Sequence, residues 1–210
     1  MNTFIINLDD CKDRLDKYEN INFTRWKATS RIEVTDEINK KMISYYNLPR
    51  PAHLGRCGCF ISHMRLYQHI VENKLNDVLI LEDDAVKVAD IPTEYPTNGI
   101  TYLGGFILNK QITSKKDIFF NTENGIHQVD KTKLRVLMTM SYIIPTWQVA
   151  EELLQEINSL QRCRAIDILL GSIKINTYYS YPASYIESAE ESTICKKSKK
   201  SNEFYKWVSK

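Results

Sequence analysis

Residues 79–86 read LILEDDAV, a run in which a buried strand passes straight into three consecutive carboxylates. Val78, Leu79, Ile80 and Leu81 form a short continuous apolar stretch, the pattern of a strand covered on both faces. Glu82, Asp83 and Asp84 then repel one another at close quarters. A divalent cation offsets that repulsion most simply. Hard oxygen ligands suit Mg²⁺ or Mn²⁺, and open α/β sheets place their ligands at the carboxyl ends of parallel strands. The expected fold class is therefore α/β, with a central, mostly parallel mixed sheet flanked by helices.

The flanking sequence fits that frame. TFIINLD (3–9) is an apolar strand ending in Asn and Asp, and Leu15 and Tyr18 after it have helical spacing. NINFTRWKAT (20–29) alternates as a second strand, and 34–46 reads as a helix capped by Thr35 or Asp36 and ended by Pro49 and Pro51. GRCGCFISHMRLYQHIVENKL places Phe60, Met64, Tyr67, Ile70 and Val71 on one helical face, immediately before the acidic strand. GITYLGG (99–105) is a short strand closing on two glycines, and RVLMTMSYIIP (135–145) reads as one long apolar strand. An amphipathic helix follows from Thr146, then the isolated Asp167 in apolar company, then a strand over 174–182. With no internal repeat or long linker, 1–195 is expected to form one domain, and 196–210 a basic tail with interleaved aromatics that acts as a lid or a link to further domains.

Composition narrows the function classes. The chain has 210 residues, 43% apolar and 26% charged, as a globular domain does. A net charge of +2 gives no field that argues for nucleic acid as the partner. No apolar run approaches the roughly 18 residues of an integral membrane segment, and MNTFIINLDD lacks the form of a signal peptide, so the expected compartment is cytoplasmic. Five cysteines without paired C-x-x-C spacing read as reduced thiols. Cys59 and His63, four apart with Cys57 nearby, could share a metal, but a structural zinc site needs four ligands and no second cluster offers the rest, so packing is the better reading of these cysteines.

Three stretches together resemble the glycosyltransferases of family 25, the lipopolysaccharide-biosynthesis type: FIINLDDCKDR, then GRCGCFISHMRLYQHI leading into VLILEDD, then MSYIIPTWQVAEELL leading to AIDILL and YPASYIESAEEST. They span most of residues 4–193, and the middle one is the most specific. The resemblance implies a GT-A fold that transfers a hexose or deoxyhexose from a nucleotide-diphosphate sugar, UDP favoured, to a glycan or glycoprotein hydroxyl. The compact length is also similar to glycosyltransferase domains that decorate viral capsids, for which the compartment is the host cytoplasm. Glu82 and Asp84 would hold Mn²⁺ or Mg²⁺ against the leaving diphosphate, and Asp83 would bind metal or a donor hydroxyl. Asn7, Leu8 and Arg14, then Ala28 and Thr29, stand where such enzymes hold the nucleotide, with Ser62 and His63 matching a Ser-His pair and Gly105 beside the donor sugar. Asp167 resembles the acid near the acceptor, which would take the proton of the attacking hydroxyl.

The sequence departs from the family at two places. Ser30 and Arg31 stand where an aspartate and a glycine usually follow the second strand, which bears on ribose recognition. The last histidine is His127, so a late histidine ligand is absent or replaced by Glu187, Glu190 or water. Blander roles stay open: Asp83 as a turn cap, Arg14 in a surface pair with Asp10 or Asp13, His63 as a satisfied helix residue, Asp167 as a buried structural acid, Gly104 and Gly105 as a plain turn. Two rival classes also stand beside the transferase. A non-catalytic sugar- or nucleotide-binding module would lack a use for Glu82, Asp84 and Asp167 together. A phosphoacceptor receiver domain would carry its acids after the first strand, which here ends in Asn7.

Overall fold

A computed structural model describes residues 1–42, 50–109 and 123–188 of the chain. The chain opens with β1 (Asn2–Asn7), a 3-10 segment (Asp9–Tyr18), β2 (Thr24–Lys27), α1 (Asp36–Lys41) and α2 (Arg50–Glu72). β3 (Val78–Glu82), β4 (Ala85–Lys87), β5 (Gly99–Tyr102), β6 (Phe106–Asn109), β7 (Gly125–Gln128), β8 (Leu134–Leu137) and β9 (Ser141–Ile144) follow. The described fold closes with α3 (Trp147–Asn158), α4 (Ile166–Leu170), β10 (Asn176–Tyr181) and β11 (Tyr185–Glu187).

The main sheet has the order β2-β1-β3-β9-β5-β10-β7. β1 pairs in parallel with β2 and β3, and β5 with β10, whereas β9 runs against β3 and β5, and β7 against β10. The mostly parallel mixed sheet expected from the sequence is thus present. Its carboxyl-terminal edge carries the ends of β1, β2 and β3 side by side, with Asn7 opposite Lys27 and Ile6 opposite Glu82.

Both faces of the central strands are covered, which is why they read as continuous apolar runs. Phe4, Ile6, Val78, Ile80, Tyr142 and Ile144 pack against Leu66, Tyr67 and Ile70 of α2 and Leu153 of α3. Alternate residues Ile5, Leu79, Leu81 and Ile143 point the other way, onto Tyr18, Leu103, Met140 and Tyr185. α2 begins with Pro51 inside its first turn, where a missing N–H is harmless, so that proline starts this helix. It ends at Glu72, and two residues on the left-handed backbone of Lys74 (φ 49) lets Leu75 N–H close on Ile70 C=O. Thr146 caps α3, its hydroxyl accepting from Val149 N–H at 3.4 Å.

Three expectations change. The run 135–145 is two strands: β8 pairs with β6 in a separate ribbon, β9 enters the main sheet, and Met138 between them has φ 73. A hydrophobic run reports burial and carries no information about where a ladder breaks, so the interruption was hidden. The segment after β1 is a 3-10 helix with a kink at Cys11. The second strand covers only Thr24–Lys27, because Ser30 and Glu33 close a turn directly after it. Residues 43–46 of the expected first helix, Glu190, Cys195 and the tail 196–210 lie outside the described residues.

Candidate active site

The carboxyl ends of β1, β2 and β3 and the start of α2 enclose a cleft of about 430 Å³. Leu8, Ala28 and Thr29 line it together with Ser62, Glu82 and Asp83, so six of the residues marked in the sequence meet around one space. Arg31 lines it too, placing a cation where the family resemblance leads one to expect glycine.

Its floor is set by close packing of α2 on the end of β2. A Cβ at Gly58 would collide with the Thr29 carbonyl, so the helix can sit this close only with glycine there. One turn on, the buried Ser62 hydroxyl accepts from Thr29 N–H (2.8 Å) and donates to Gly58 C=O (2.7 Å). Trp26 Nε1 donates to the Ser62 carbonyl at 3.1 Å. Ser62 therefore shapes the cleft by fixing the β2 end.

Asp83 is held on both oxygens. Asn7 Nδ2 donates to Oδ2 at 2.8 Å, and Arg14 pairs with Oδ1 at 3.2 Å. Both Arg14 and Asp83 are largely shielded, with 13% and 14% of their side chains exposed. Arg14 thus has a partner in Asp83, across the sheet edge, with the cost of burying one charge offset by the other. Asn7 is itself oriented: Nδ2 also donates to Cys11 C=O (2.7 Å), and Oδ1 accepts from Arg25 Nε (2.9 Å). Burial pushes the Asp83 carboxyl above its ordinary range, while Asn7 and Arg14 pull it back down.

Glu82 faces a different set of partners. Its Oε1 accepts from the Thr139 hydroxyl and lies 3.3 Å from His63 Nε2. His63 is fully buried, with Nδ1 at 2.6 Å from the Tyr142 hydroxyl, which meets the Tyr67 hydroxyl at 2.7 Å. A hydrogen-bonded chain Tyr67, Tyr142, His63, Glu82, Thr139 thus crosses from α2 to β9 and back to the cleft. Burial drives both tyrosine hydroxyls up, so they remain neutral donors and acceptors. His63 is at once a satisfied helix residue and the one that aims Glu82.

Asp167 sits in the first turn of α4, half-buried. Its carboxylate accepts from Ile168 N–H at 2.8 Å and from Met138 N–H. Burial raises its pKa most, and the Glu82 charge raises it further, while Arg56 draws it down. The Cys59 thiol is pushed well up by burial and then by Glu82, Asp167 and Asp84. Three carboxylates therefore converge on the neighbourhood of one half-buried thiol. Asp84 occupies the turn between β3 and β4, its carbonyl accepting from Ser188 N–H at 2.7 Å, and the register of β4 with β11 sets Glu187 opposite Ala85. Gly105 (φ +109) is packed against the Leu137 carbonyl and borders a separate small cavity with Gly104 and Tyr102, so it does not join the main cleft.

The residues fit a hard divalent cation. Glu82 and Asp84 supply oxygen donors, Asp83 is already balanced by Arg14, and Asp167 adds negative charge in partly buried surroundings, an excess that a cation relieves. Thr139, Tyr142 and Tyr67 were invisible as site residues in the sequence. Thr139 and Ser141 stand out only as polar residues within an apolar run, which is the one signal that could have marked this stretch.

Comparison with known proteins places the sequence in a family. The sequence model of glycosyltransferase family 25 (LPS biosynthesis protein) matches residues 1–170. Procollagen galactosyltransferase 2 of Homo sapiens is 29% identical over 94 residues, covering 39% of this chain and 15% of its own length. A glycosyltransferase 25 family member of Drosophila pseudoobscura pseudoobscura is 32% identical over 94 residues, with the same shares. The matched stretch is thus about one seventh of the length of these relatives.

Proposed function

This chain belongs to glycosyltransferase family 25, and from that premise we propose that it transfers a hexose or deoxyhexose from a nucleotide-diphosphate sugar, UDP favoured, to a hydroxyl of a glycan or glycoprotein. The observation that carries the reading is the cleft at the ends of β1, β2 and β3, where Leu8, Ala28 and Thr29 face Glu82 and Asp83 across about 430 Å³. That volume suits a small ligand of nucleotide size, at the sheet edge where such ligands bind. The similarity to galactosyltransferases makes galactose the first hexose to test.

Leu8, Ala28 and Thr29 offer apolar contact and backbone groups to the base and ribose. Arg31, on the cleft wall, supplies a charge for the diphosphate. Glu82 and Asp84 would hold Mn²⁺ or Mg²⁺, which when bound neutralises the leaving diphosphate. Asp83, clamped by Asn7 and Arg14, offers a fixed acceptor for a donor hydroxyl. Asp167 takes the proton of the acceptor hydroxyl as that oxygen attacks the anomeric carbon, and its raised pKa suits a group that must accept a proton near neutral pH.

Isothermal titration with UDP, GDP and their sugar derivatives, in Mn²⁺ and again in EDTA, tests the reading. Metal-dependent binding of one nucleotide sugar, with donor hydrolysis lost in Asp84→Asn, is the expected outcome. A folded protein that binds none of them would overturn it in favour of a carbohydrate-binding module without turnover, and an Asp84→Asn variant with unchanged binding and hydrolysis would overturn the metal-dependent reading.

A further inference from the structure

Cys59 and His63 stand one helical turn apart on α2, and β3 brings Glu82 across to them, so that Sγ, an imidazole nitrogen and a carboxylate oxygen lie within 4.8 Å of one another. We propose that these three side chains form a second metal site, of zinc type, with a cleft water as fourth ligand. It is distinct from the hard-oxygen set of Glu82 and Asp84.

Three features of the cluster favour a borderline-soft ion. Sulfur, nitrogen and one carboxylate with an open position is the donor set that Zn²⁺ takes in tetrahedral sites, whereas Mn²⁺ and Mg²⁺ prefer all-oxygen surroundings. The outer shell is already built: Tyr142, backed by Tyr67, engages His63 Nδ1 and leaves Nε2 directed at Glu82, and Thr139 donates to Glu82 Oε1. Such partners fix the tautomer and orientation of ligating histidines and carboxylates. Access is open on one side only, because Cys59 and Glu82 line the cleft while His63 is sealed beneath it. That is the arrangement of a site with three protein ligands and one exchangeable position.

Cys59 coordinates as thiolate, so binding releases its proton to solvent. A Glu82 carboxylate turned to Zn²⁺ is withdrawn from the Mn²⁺ or Mg²⁺ set, which makes zinc a competitor of the donor-site cation. That consequence rests on the role given to Glu82 above; the zinc site itself does not.

Co²⁺ titration of the whole chain, with no nucleotide sugar present, reads the site directly. A sulfur-to-cobalt charge-transfer band that saturates at one ion per chain and is displaced by Zn²⁺ is the expected result. Cys59→Ser should abolish the band, and Tyr142→Phe should weaken binding by roughly 10- to 100-fold through the outer shell. Since variants near His63 touch the core, labelling of the unaltered chain gives a second measurement: Zn²⁺ should shield Cys59 from a thiol reagent while Cys11 stays reactive. A band that survives Cys59→Ser, or Cys59 labelling that Zn²⁺ leaves unchanged, overturns the proposal. With no donor in the cell, failure here leaves the transferase reading standing, and failure of donor binding leaves this site standing.

Discussion

Met138 presents its N–H to the Asp167 carboxylate from a left-handed backbone, φ 73, at the point where β8 gives way to β9. A non-glycine residue in that region stores on the order of 1–2 kcal/mol of strain, and the break between the two strands at which it sits also delivers the donor. Backbone donors thereby hold the charge of Asp167 near Glu82.

Asp167→Asn should leave donor binding intact and lower transfer by about 10² to 10⁴, the usual contribution of a positioned base. Donor affinity by titration and turnover by product release would be measured side by side. An equal loss of both would make Asp167 a structural residue.

The same substitution should stabilise the fold at neutral pH. The folded-state pKa of Asp167 is raised above the ordinary 3.8, so the unfolded chain gives up the proton more readily. Asp167 therefore adds nothing below that ordinary value, destabilises progressively as pH rises through the folded pKa, and does so fully above it. Asp167→Asn should raise Tm at pH 7 by roughly 2–4 °C for each kcal/mol relieved, and the gain should vanish as pH falls below about 4. Calorimetry at several pH values checks the sign.

Arg14→Met strips the Asp83 carboxylate of its cation. Removing one partner from a fully buried pair costs about 3–5 kcal/mol. With 13% and 14% of these side chains still exposed, about 2 kcal/mol is expected. Arg14→Met with Asp83→Asn should recover most of that loss in chemical denaturation, because the orphaned charge is gone.

Gly58→Ala forces a methyl against the Thr29 carbonyl and so pushes α2 away from the end of β2. Overpacking of this kind costs about 1–3 kcal/mol, and the weakening of donor binding should exceed that of a remote destabilising control. Ser62→Ala probes the same junction from the polar side, leaving the buried Thr29 N–H without its acceptor at a cost of about 1–3 kcal/mol. Denaturation midpoints and donor affinity report both variants.

What the sequence disclosed was local. β3 with its acids, the long helix before it and the strand ending in Asn7 each rest on contiguous patterns that survive folding unchanged. Arg14 shows the limit: its neighbours Asp10 and Asp13 were the candidates along the chain, and Asp83, which it also meets, lies 69 residues away. Cys59 and His63 lacked further ligands when read along one helix, because the third donor arrives from another element. Thr139 and Tyr142 gained their roles only when β9 came to lie between β3 and β5. Periodicity encodes which face is buried; it says nothing of which buried hydroxyl meets which imidazole.

The hydrogen bond from Ser188 to the Asp84 carbonyl has a practical side. β1 enters the sheet at Asn2, where Asn2 N–H meets Asp77 C=O, and runs about 17 Å before reaching the reactive edge at Asn7. The chain thus comes in at the rear of the sheet, and Ser188 lies at its front. A bulky label attached at Asn2 would leave the cleft clear, whereas one attached at Ser188 would stand in the doorway of the acidic turn.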